Sequence, residues 1–148
     1  MLYSSVRTRL KRDEHATLTL LRYDASGKVT FAGAHEELLV WRAESRKIEL
    51  IPTPGTWVGA TAEIGDGMVD SELVLAKGDL LVLYTDGAIE GANAAGEQYG
   101  IERLMAGLEE RTDLPAGEIC LGLLDDVTDF MHHQHDDVTL VVLRYEGA

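Results

Sequence analysis

The pattern of apolar and polar residues predicts seven β-strands along most of this chain. The predicted strands are rich in apolar and β-branched residues and cover 16–23, 28–34, 37–42, 47–51, 71–76, 80–85 and 138–145. Asp24 to Gly27 predicts a hairpin turn after the first strand, and the Pro- and Gly-rich stretch 52–67 predicts a loop. Residues 80–85 are apolar almost throughout, which indicates a strand buried on both faces.

Other segments have apolar residues at helical spacing. Leu2, Val6 and Leu10 form one stripe, so we expect the chain to begin in or at the end of a helix. No capping residue precedes this stripe, which suggests that an upstream part is missing. Further helices are predicted over 101–108 and from about 115 to 130. Strands followed by two helices and a last strand are typical of an α+β fold with antiparallel sheets and segregated helices.

The composition indicates a soluble globular protein. Its 148 residues fit one domain and are numerous enough to bury a core. The 26 acidic and 13 basic residues give a net charge of −13, which repels a phosphate backbone and argues against nucleic-acid binding. No apolar run approaches the roughly 20 residues that a membrane-spanning helix needs. Cys120 is the single cysteine and forms no internal disulfide, so we expect a cytoplasmic protein.

Two short acidic segments lie at the ends of predicted buried strands. Asp86 and Gly87 follow the strand at 80–85, and Asp136 and Asp137 precede the strand at 138–145. Because rigid backbone holds the ends of central strands, carboxylates there can converge on a hard divalent cation. The alternative for each segment taken singly is that Asp86 begins a turn and Asp136 caps a strand.

Three histidines, His132, His133 and His135, lie beside the second acidic segment. Imidazole is a ligand that zinc and nickel prefer, so one interpretation is a transition-metal site. We favour the alternative of a solvated helix end, where histidine also interacts well with the negative end of the helix dipole.

The longer motifs around the acids resemble SpoIIE-type protein serine/threonine phosphatases of the PPM (type 2C) superfamily. Residues 75–104 contain a Gly-Asp turn, a Tyr-Thr-Asp-Gly strand end, an acid at Glu90 and a Gly-Glu-x-Tyr-Gly stretch before a helix. Residues 136–140, Asp-Asp-Val-Thr-Leu, are similar to the closing acidic motif of that family. Residues 31–35 resemble its Ala-Gly-His segment, although Ala34 separates the glycine from His35, and residues 55–59 resemble the loop that follows.

This resemblance implies a PPM-type α-β-β-α sandwich, in which two largely antiparallel sheets are flanked by helices. It also implies the hydrolysis of phosphoserine or phosphothreonine in a protein by a site that holds two Mn²⁺ or Mg²⁺ ions. Carried over to this chain, Asp86 and Asp136 would each bind metal. Asp137 would be the neighbouring acid that supports these ligands, and Glu90 would contact a more weakly held outer ion.

Three further residues would lie near the site implied by the resemblance. Thr85 and Gly87 flank the first metal-binding aspartate. His35 would serve as an acid near the site, although a packed or turn histidine is the alternative that we favour.

One departure from the family pattern bears on activity. The family has an earlier strand-end Asp-Gly whose aspartate bridges both metals, and nothing before Ala16 resembles it. Asp13, Glu14 and His15 lack both the glycine and a preceding apolar strand. We therefore expect residues 1–148 to be a single, incomplete phosphatase domain whose N-terminal part is missing.

The resemblance also implies partners. The usual substrate in the family is a phosphorylated regulatory protein, a small phosphoserine-bearing anti-sigma-factor antagonist, and sensor domains would lie upstream in a longer parent protein. The principal alternative is a non-catalytic interaction module, a truncated or degenerate domain that binds a partner without hydrolysing phosphate. A further alternative is a homodimer that completes its sheets by exchange, because missing strands leave sheet edges uncovered.

Overall fold

A computed structural model describes residue 9 and residues 15–58, 69–134 and 136–148. This part of the chain forms seven strands: β1 (Leu18–Tyr23), β2 (Lys28–Ala34), β3 (Leu38–Arg42), β4 (Lys47–Ile51), β5 (Ser71–Val74), β6 (Leu80–Tyr84) and β7 (Leu140–Arg144). It also forms three helices: α1 (Asp86–Ile89), α2 (Gly100–Glu109) and α3 (Ala116–Phe130). The seven predicted strands and the two helices predicted in the C-terminal half are confirmed within a few residues at each end. The helix predicted around Leu2 to Leu10 and part of the predicted loop lie outside the described residues.

The described residues form two compact units, each built on one antiparallel sheet. The three-stranded unit contains β1, β2 and β5, and it comprises the described residues up to His35, those within 52–75 and Ala148. The four-stranded unit contains the other four strands and all three helices, and it comprises residues 36–51 and 76–147. The predicted α+β class with two antiparallel sheets and helices is therefore confirmed.

The three-stranded sheet has the order β1-β2-β5. The predicted hairpin turn joins its first two strands, and the Asp24 carboxylate accepts a hydrogen bond of 2.8 Å from the Ser26 backbone N–H. Gly33 on β2 has a φ of +128°, and a Cβ there would lie 1.9 Å from the Leu18 carbonyl oxygen. A Cβ on Gly55 would in turn lie 2.6 Å from the Gly33 carbonyl carbon. The two glycines therefore allow β1, β2 and the following loop to approach closely.

The four-stranded sheet has the order β4-β3-β6-β7, and every neighbouring pair is antiparallel. Its central strand β6 is buried on both faces, as its apolar sequence predicts, with Leu80, Leu81 and Val82 at most 1% exposed. Helices α2 and α3 bury their apolar stripes, which include Leu104, Leu108, Ile119, Leu123 and Val127, in one core cluster with side chains of β3 and β6.

A buried carboxylate connects the start of β6 to the turn between β3 and β4. Asp79 is 1% exposed, and its two oxygens accept hydrogen bonds from the Ala43 and Ala76 N–H groups and from the Arg42 guanidinium at 2.9 to 3.0 Å. The sequence predicts only a turn at this position. The structure adds an ion pair whose removal would leave two backbone donors without their acceptor and would take from Arg42 the more deeply buried of these two carboxylates, Asp79 and Glu49.

Strand β7 is also connected to the turn between the two long helices. The Arg144 guanidinium donates hydrogen bonds of 2.6 and 2.7 Å to the carbonyl oxygens of Thr112 and Leu114. The turn itself is held by Arg111, which pairs with Asp126 on α3 at 2.8 Å. These contacts fix the position of β7 relative to helices α2 and α3. The acidic segment Asp136–Asp137 leads directly into this strand.

In the described ranges no helix has both the length and the apolar character that a bilayer crossing requires.

Candidate functional site

The antiparallel pairing of β6 and β7 brings the two acidic segments to one edge of the four-stranded sheet. Tyr84 at the end of β6 pairs with Leu140 at the start of β7. The chain leaving β6 at Asp86 therefore lies beside the chain entering β7 through Asp136 and Asp137. We refer to this junction of residues 85–87 with residues 136–139 as the acidic edge.

Thr85 takes part in three hydrogen bonds that hold the acidic edge together, two as the donor and one as the acceptor. Its backbone N–H donates to the Thr139 carbonyl oxygen at 3.1 Å, and its hydroxyl donates to the Asp137 carbonyl oxygen at 3.1 Å. The same hydroxyl accepts the Thr139 backbone N–H at 3.0 Å. Since the residues are 54 positions apart in the sequence, these bonds cross-link two distant segments.

Gly87 permits the close approach of the two segments. A Cβ at this position would lie 2.5 Å from the Asp137 carbonyl oxygen and 3.1 Å from its carbonyl carbon. Side chains do not tolerate such distances to backbone atoms. The glycine after Asp86 is therefore required by the space available at the edge, in addition to any requirement of the turn.

The two predicted metal-binding carboxylates have the same local geometry. Asp86 Oδ1 accepts the N–H of the next residue, Gly87, at 2.8 Å, and Asp136 Oδ1 accepts the N–H of Asp137 at 2.7 Å. Both side chains are exposed. Each bond uses one oxygen of its carboxylate, and the second oxygen belongs to an exposed residue.

A second contact region continues the acidic edge toward α3. Glu90 ends α1, where its N–H donates to the Asp86 carbonyl oxygen at 2.8 Å, and its side chain is exposed. The next residue, Gly91, lies against Met131, because a Cβ there would be 2.3 Å from the Met131 sulfur. The His132 N–H also donates to the Ala92 carbonyl oxygen at 3.0 Å. These contacts connect the segment that follows Asp86 to residues 131–132 at the end of α3.

Sequence reasoning missed two further acids at this end of the sheet. Glu36 and Glu37 immediately precede β3, whose start lies beside the end of β6 in the antiparallel sheet. Burial raises the pKa of the Tyr84 phenol to about 12, and the negative charges of Glu36 and Glu37 contribute to the same shift. The antiparallel order of the predicted strands would have been the signal for finding them.

The ligand type at the acidic edge suits the predicted metal, whereas the number of ligands is small. Exposed carboxylate oxygens on rigid strand ends are the donors that Mg²⁺ and Mn²⁺ prefer. No cluster of three or more His, Cys, Asp and Glu side chains able to hold a metal occurs within the described ranges. A metal site that used Asp86 and Asp136 would therefore need additional ligands to complete it.

The remaining predicted residues have separate surroundings. His35 belongs to the three-stranded unit, where its N–H donates to Thr53 Oγ1 at 3.1 Å and its carbonyl oxygen accepts from the same hydroxyl at 2.7 Å. His132 and His133 are exposed beyond the end of α3, with ring centres 4.3 Å apart. His135 lies outside the described residues. The exposure of His132 and His133 agrees with the interpretation as a solvated helix end.

Comparison with known families identifies one match along nearly the whole chain. A family model described as Stage II sporulation protein E (SpoIIE) matches residues 1–146. No curated protein matches the chain.

Several solved structures have the same fold. The SiaA-PP2C domain of Pseudomonas aeruginosa has a TM-score of 0.79 and 21% identity, with 96% of this chain and 57% of that chain covered. The RsbU and RsbW domains of Rv1364c from Mycobacterium tuberculosis have a TM-score of 0.77 and 22% identity, with 97% and 40% covered. The phosphatase domain of the cell fate determinant SpoIIE from Bacillus subtilis, presoaked with Mn, has a TM-score of 0.66 and 20% identity, with 98% and 64% covered. The chain thus spans less than two thirds of each of these three structures.

Proposed function

This chain belongs to the Stage II sporulation protein E (SpoIIE) family, and on that premise we propose that it carries part of a metal-dependent protein serine/threonine phosphatase site. The observation that carries the proposal is the acidic edge, where the end of β6 and the start of β7 place Asp86 beside Asp136 and Asp137. The proposed reaction is the hydrolysis of phosphoserine or phosphothreonine in a protein.

The roles of the residues follow from their positions at the edge. Asp86 and Asp136 would bind Mn²⁺ or Mg²⁺ through the oxygens that do not accept the following N–H. Asp137 would support the pair with its charge, and Glu90 would contact an outer ion. A bound pair of ions would supply an acidified water and neutralise charge on the transferred phosphoryl group. We assign His35 a place near the site by family resemblance alone.

The proposed substrate is a phosphorylated regulatory protein of the anti-sigma-factor-antagonist type. Membership of the SpoIIE family supports this class of substrate. One structure with the same fold is the phosphatase domain of a cell fate determinant, which also favours a regulatory role. Sensor domains in a longer parent protein are part of the same proposal.

A second candidate function is a non-catalytic module that binds a partner protein. The observation that favours it is the small donor set, because the described residues contain no cluster of three metal-binding side chains. Two cations held by too few carboxylates would repel each other strongly. In this alternative the acidic edge would contact a partner without phosphate hydrolysis.

The proposal is tested by Mn²⁺-dependent hydrolysis of a small aryl phosphate and of a phosphoserine peptide by the 148-residue chain. On the catalytic proposal, any activity of the chain requires Mn²⁺ and falls at least about a hundredfold in Asp86→Asn, since a ligand to the metal is lost. Asp125→Asn is the matched control, because it makes the same charge change at an exposed position on α3.

Two outcomes would contradict the catalytic proposal. Equal rates for the unsubstituted chain and Asp86→Asn would show that the edge does not catalyse the reaction in this chain. Binding of a phosphorylated partner without turnover would favour the non-catalytic alternative.

A further inference from the structure

Thr85 makes contacts with two structural elements. Its backbone carbonyl belongs to the start of helix α1, and its side chain bonds the segment that leads into β7. In a regular antiparallel ladder, residues that face each other as a hydrogen-bonded pair exchange both N–H···O bonds through their backbones. Thr85 and Thr139 face each other in this way, because the neighbouring pair is Tyr84 and Leu140. The Thr85 N–H does donate to the Thr139 carbonyl oxygen at 3.1 Å.

The return bond of this pair goes to the side chain. The Thr139 N–H donates to the Thr85 hydroxyl oxygen at 3.0 Å rather than to the Thr85 carbonyl. That carbonyl instead accepts the Ala88 N–H at 2.9 Å and so begins helix α1. The hydroxyl therefore replaces the carbonyl in the ladder, and the chain can turn into α1 without releasing β7.

The hydroxyl also binds the other acidic segment. It donates its proton to the Asp137 carbonyl oxygen at 3.1 Å. One oxygen atom thus accepts from Thr139 and donates to Asp137, on either side of Val138. The peptide that follows Asp137 is held against Gly87 at the same point, where a side chain would clash.

We propose that Thr85 is a positioning residue whose hydroxyl sets the spacing between Asp86 and the segment Asp136–Asp137. The role requires a hydroxyl on the β-carbon of residue 85. This hydroxyl must donate to Asp137 and accept from Thr139, because the backbone carbonyl of Thr85 is already bonded to Ala88 in α1. Serine meets this requirement, whereas valine has the same shape as threonine without a donor or an acceptor. The effect of this spacing on metal binding rests on the proposed function.

The test compares Thr85→Val, Thr85→Ser and Thr139→Val with the unsubstituted chain. Thr139 contributes to the junction through its backbone N–H and carbonyl, so Thr139→Val makes the same side-chain change without removing a junction bond. Two properties are measured: the hydrogen exchange rate of the Thr139 amide by NMR, and the dissociation constant of Mn²⁺ by calorimetry. Urea unfolding verifies that each variant is folded.

We expect Thr85→Val to accelerate exchange of the Thr139 amide about tenfold or more relative to the Leu143 amide, which faces Leu81 farther along the same ladder, because the acceptor is lost. We expect the same variant to weaken Mn²⁺ binding by about tenfold to a hundredfold, the usual effect of removing a group that orients metal ligands. Thr85→Ser and Thr139→Val should remain within about twofold of the unsubstituted chain in Mn²⁺ affinity.

The outcomes separate this inference from the proposed function. Unchanged Mn²⁺ affinity in Thr85→Val would overturn the positioning role, even if the Thr139 amide exchanges faster. Failure of Thr85→Ser to restore binding would overturn the requirement for the hydroxyl. If the unsubstituted chain binds no Mn²⁺, or Asp86→Asn binds it equally well, the proposed metal site fails. The exchange rate of the Thr139 amide then decides alone whether the hydroxyl fixes the junction.

Discussion

The two units of the molecule use similar sequence patterns to build strands with very different surroundings. Strand β1 of the three-stranded unit exposes 50% of Leu20 and 63% of Tyr23. Strand β6 of the four-stranded unit buries Leu80 and Val82 completely. Both strands are rich in leucine, so local sequence alone does not determine how much of a strand is covered.

This difference bears on the proposed metal-binding role of the acidic segments, which lie on the four-stranded unit. A carboxylate that binds a cation must be held by backbone that does not move when it is charged or neutralised. Strand β6 provides such backbone, because strands β3 and β7 pair with it on either side and α2 and α3 contribute to the core of its unit. A strand with half-exposed leucines has less buried surface to resist local opening.

The largest expected effect compares equivalent leucine truncations in the two units. Leu80→Ala removes a fully buried side chain, so we expect the free energy of unfolding to fall by about 4 kcal/mol. Leu20→Ala removes a side chain that is 50% exposed, so the loss should be below about 1.5 kcal/mol. Urea unfolding measures both. Equal losses would mean that the exposure of β1 does not describe the protein in solution.

A slightly smaller effect concerns the buried carboxylate of the four-stranded unit. Asp79→Ala should lower the free energy of unfolding by about 3 kcal/mol, because two N–H groups lose their acceptor and Arg42 loses its buried carboxylate. The control is Glu49→Ala, which removes the other carboxylate bound to Arg42, at 2.8 Å and 46% exposed. That exposed pair should contribute below about 1 kcal/mol. A loss for Asp79→Ala no greater than that of the control would contradict the stabilising role of the buried pair.

An intermediate effect tests the close packing of the three-stranded unit. Gly33→Ala combines a φ of +128° with a Cβ 1.9 Å from the Leu18 carbonyl oxygen, so we expect a loss of about 2 kcal/mol or more. The control Gly96→Ala has a φ of +80° and nothing within 4 Å of the added Cβ, so only the backbone term of about 1 kcal/mol remains. Thermal unfolding of the two variants compares these costs. If both glycines gave the same shift, the close contact between β1 and β2 would be in doubt.

The smallest expected effect is a pH dependence that originates in the four-stranded unit. The pKa of Tyr84 is raised by burial from 10.0 to about 12, so the folded chain keeps this proton after the unfolded chain has lost it. Stability should therefore decrease as the pH rises from about 10 to about 12. Urea unfolding at pH 9 and pH 11 measures the decrease, and Tyr84→Phe should make it smaller. An identical decrease in Tyr84→Phe would exclude this phenol as its source.

The sequence predicts the elements best where turn residues mark both ends. Strand β2 has its predicted bounds, because Gly27 precedes it and polar residues follow it. Strand β4 also has its predicted bounds, since the turn at 43–46 and Pro52 flank it. Helix α1 was not predicted, because a helix of four residues is too short for apolar periodicity to identify it.

The candidate site could be predicted only as two separate segments. The sequence places Asp86 and Asp136 at strand ends, and the structure adds the pairing of β6 with β7 that brings the segments together. The bonds of Thr85 link residues more than fifty positions apart, and the burial of Asp79 depends on a turn in another hairpin. No local pattern contains such information. Metal binding by Asp86, Asp136, Asp137 and Glu90 stays a prediction.

The 54 positions that separate Thr85 from Thr139 also have a consequence for the order of folding. Closing so long a loop is entropically costly, and helices α2 and α3 lie within it. Local helix formation is fast compared with the pairing of distant strands. We therefore expect the helical hairpin to form first and β7 to add to β6 afterwards, so that the acidic edge is completed in one of the last steps. A folding intermediate without β7 would contain most of the described secondary structure, whereas residues 136–139 would not yet lie beside residues 85–87.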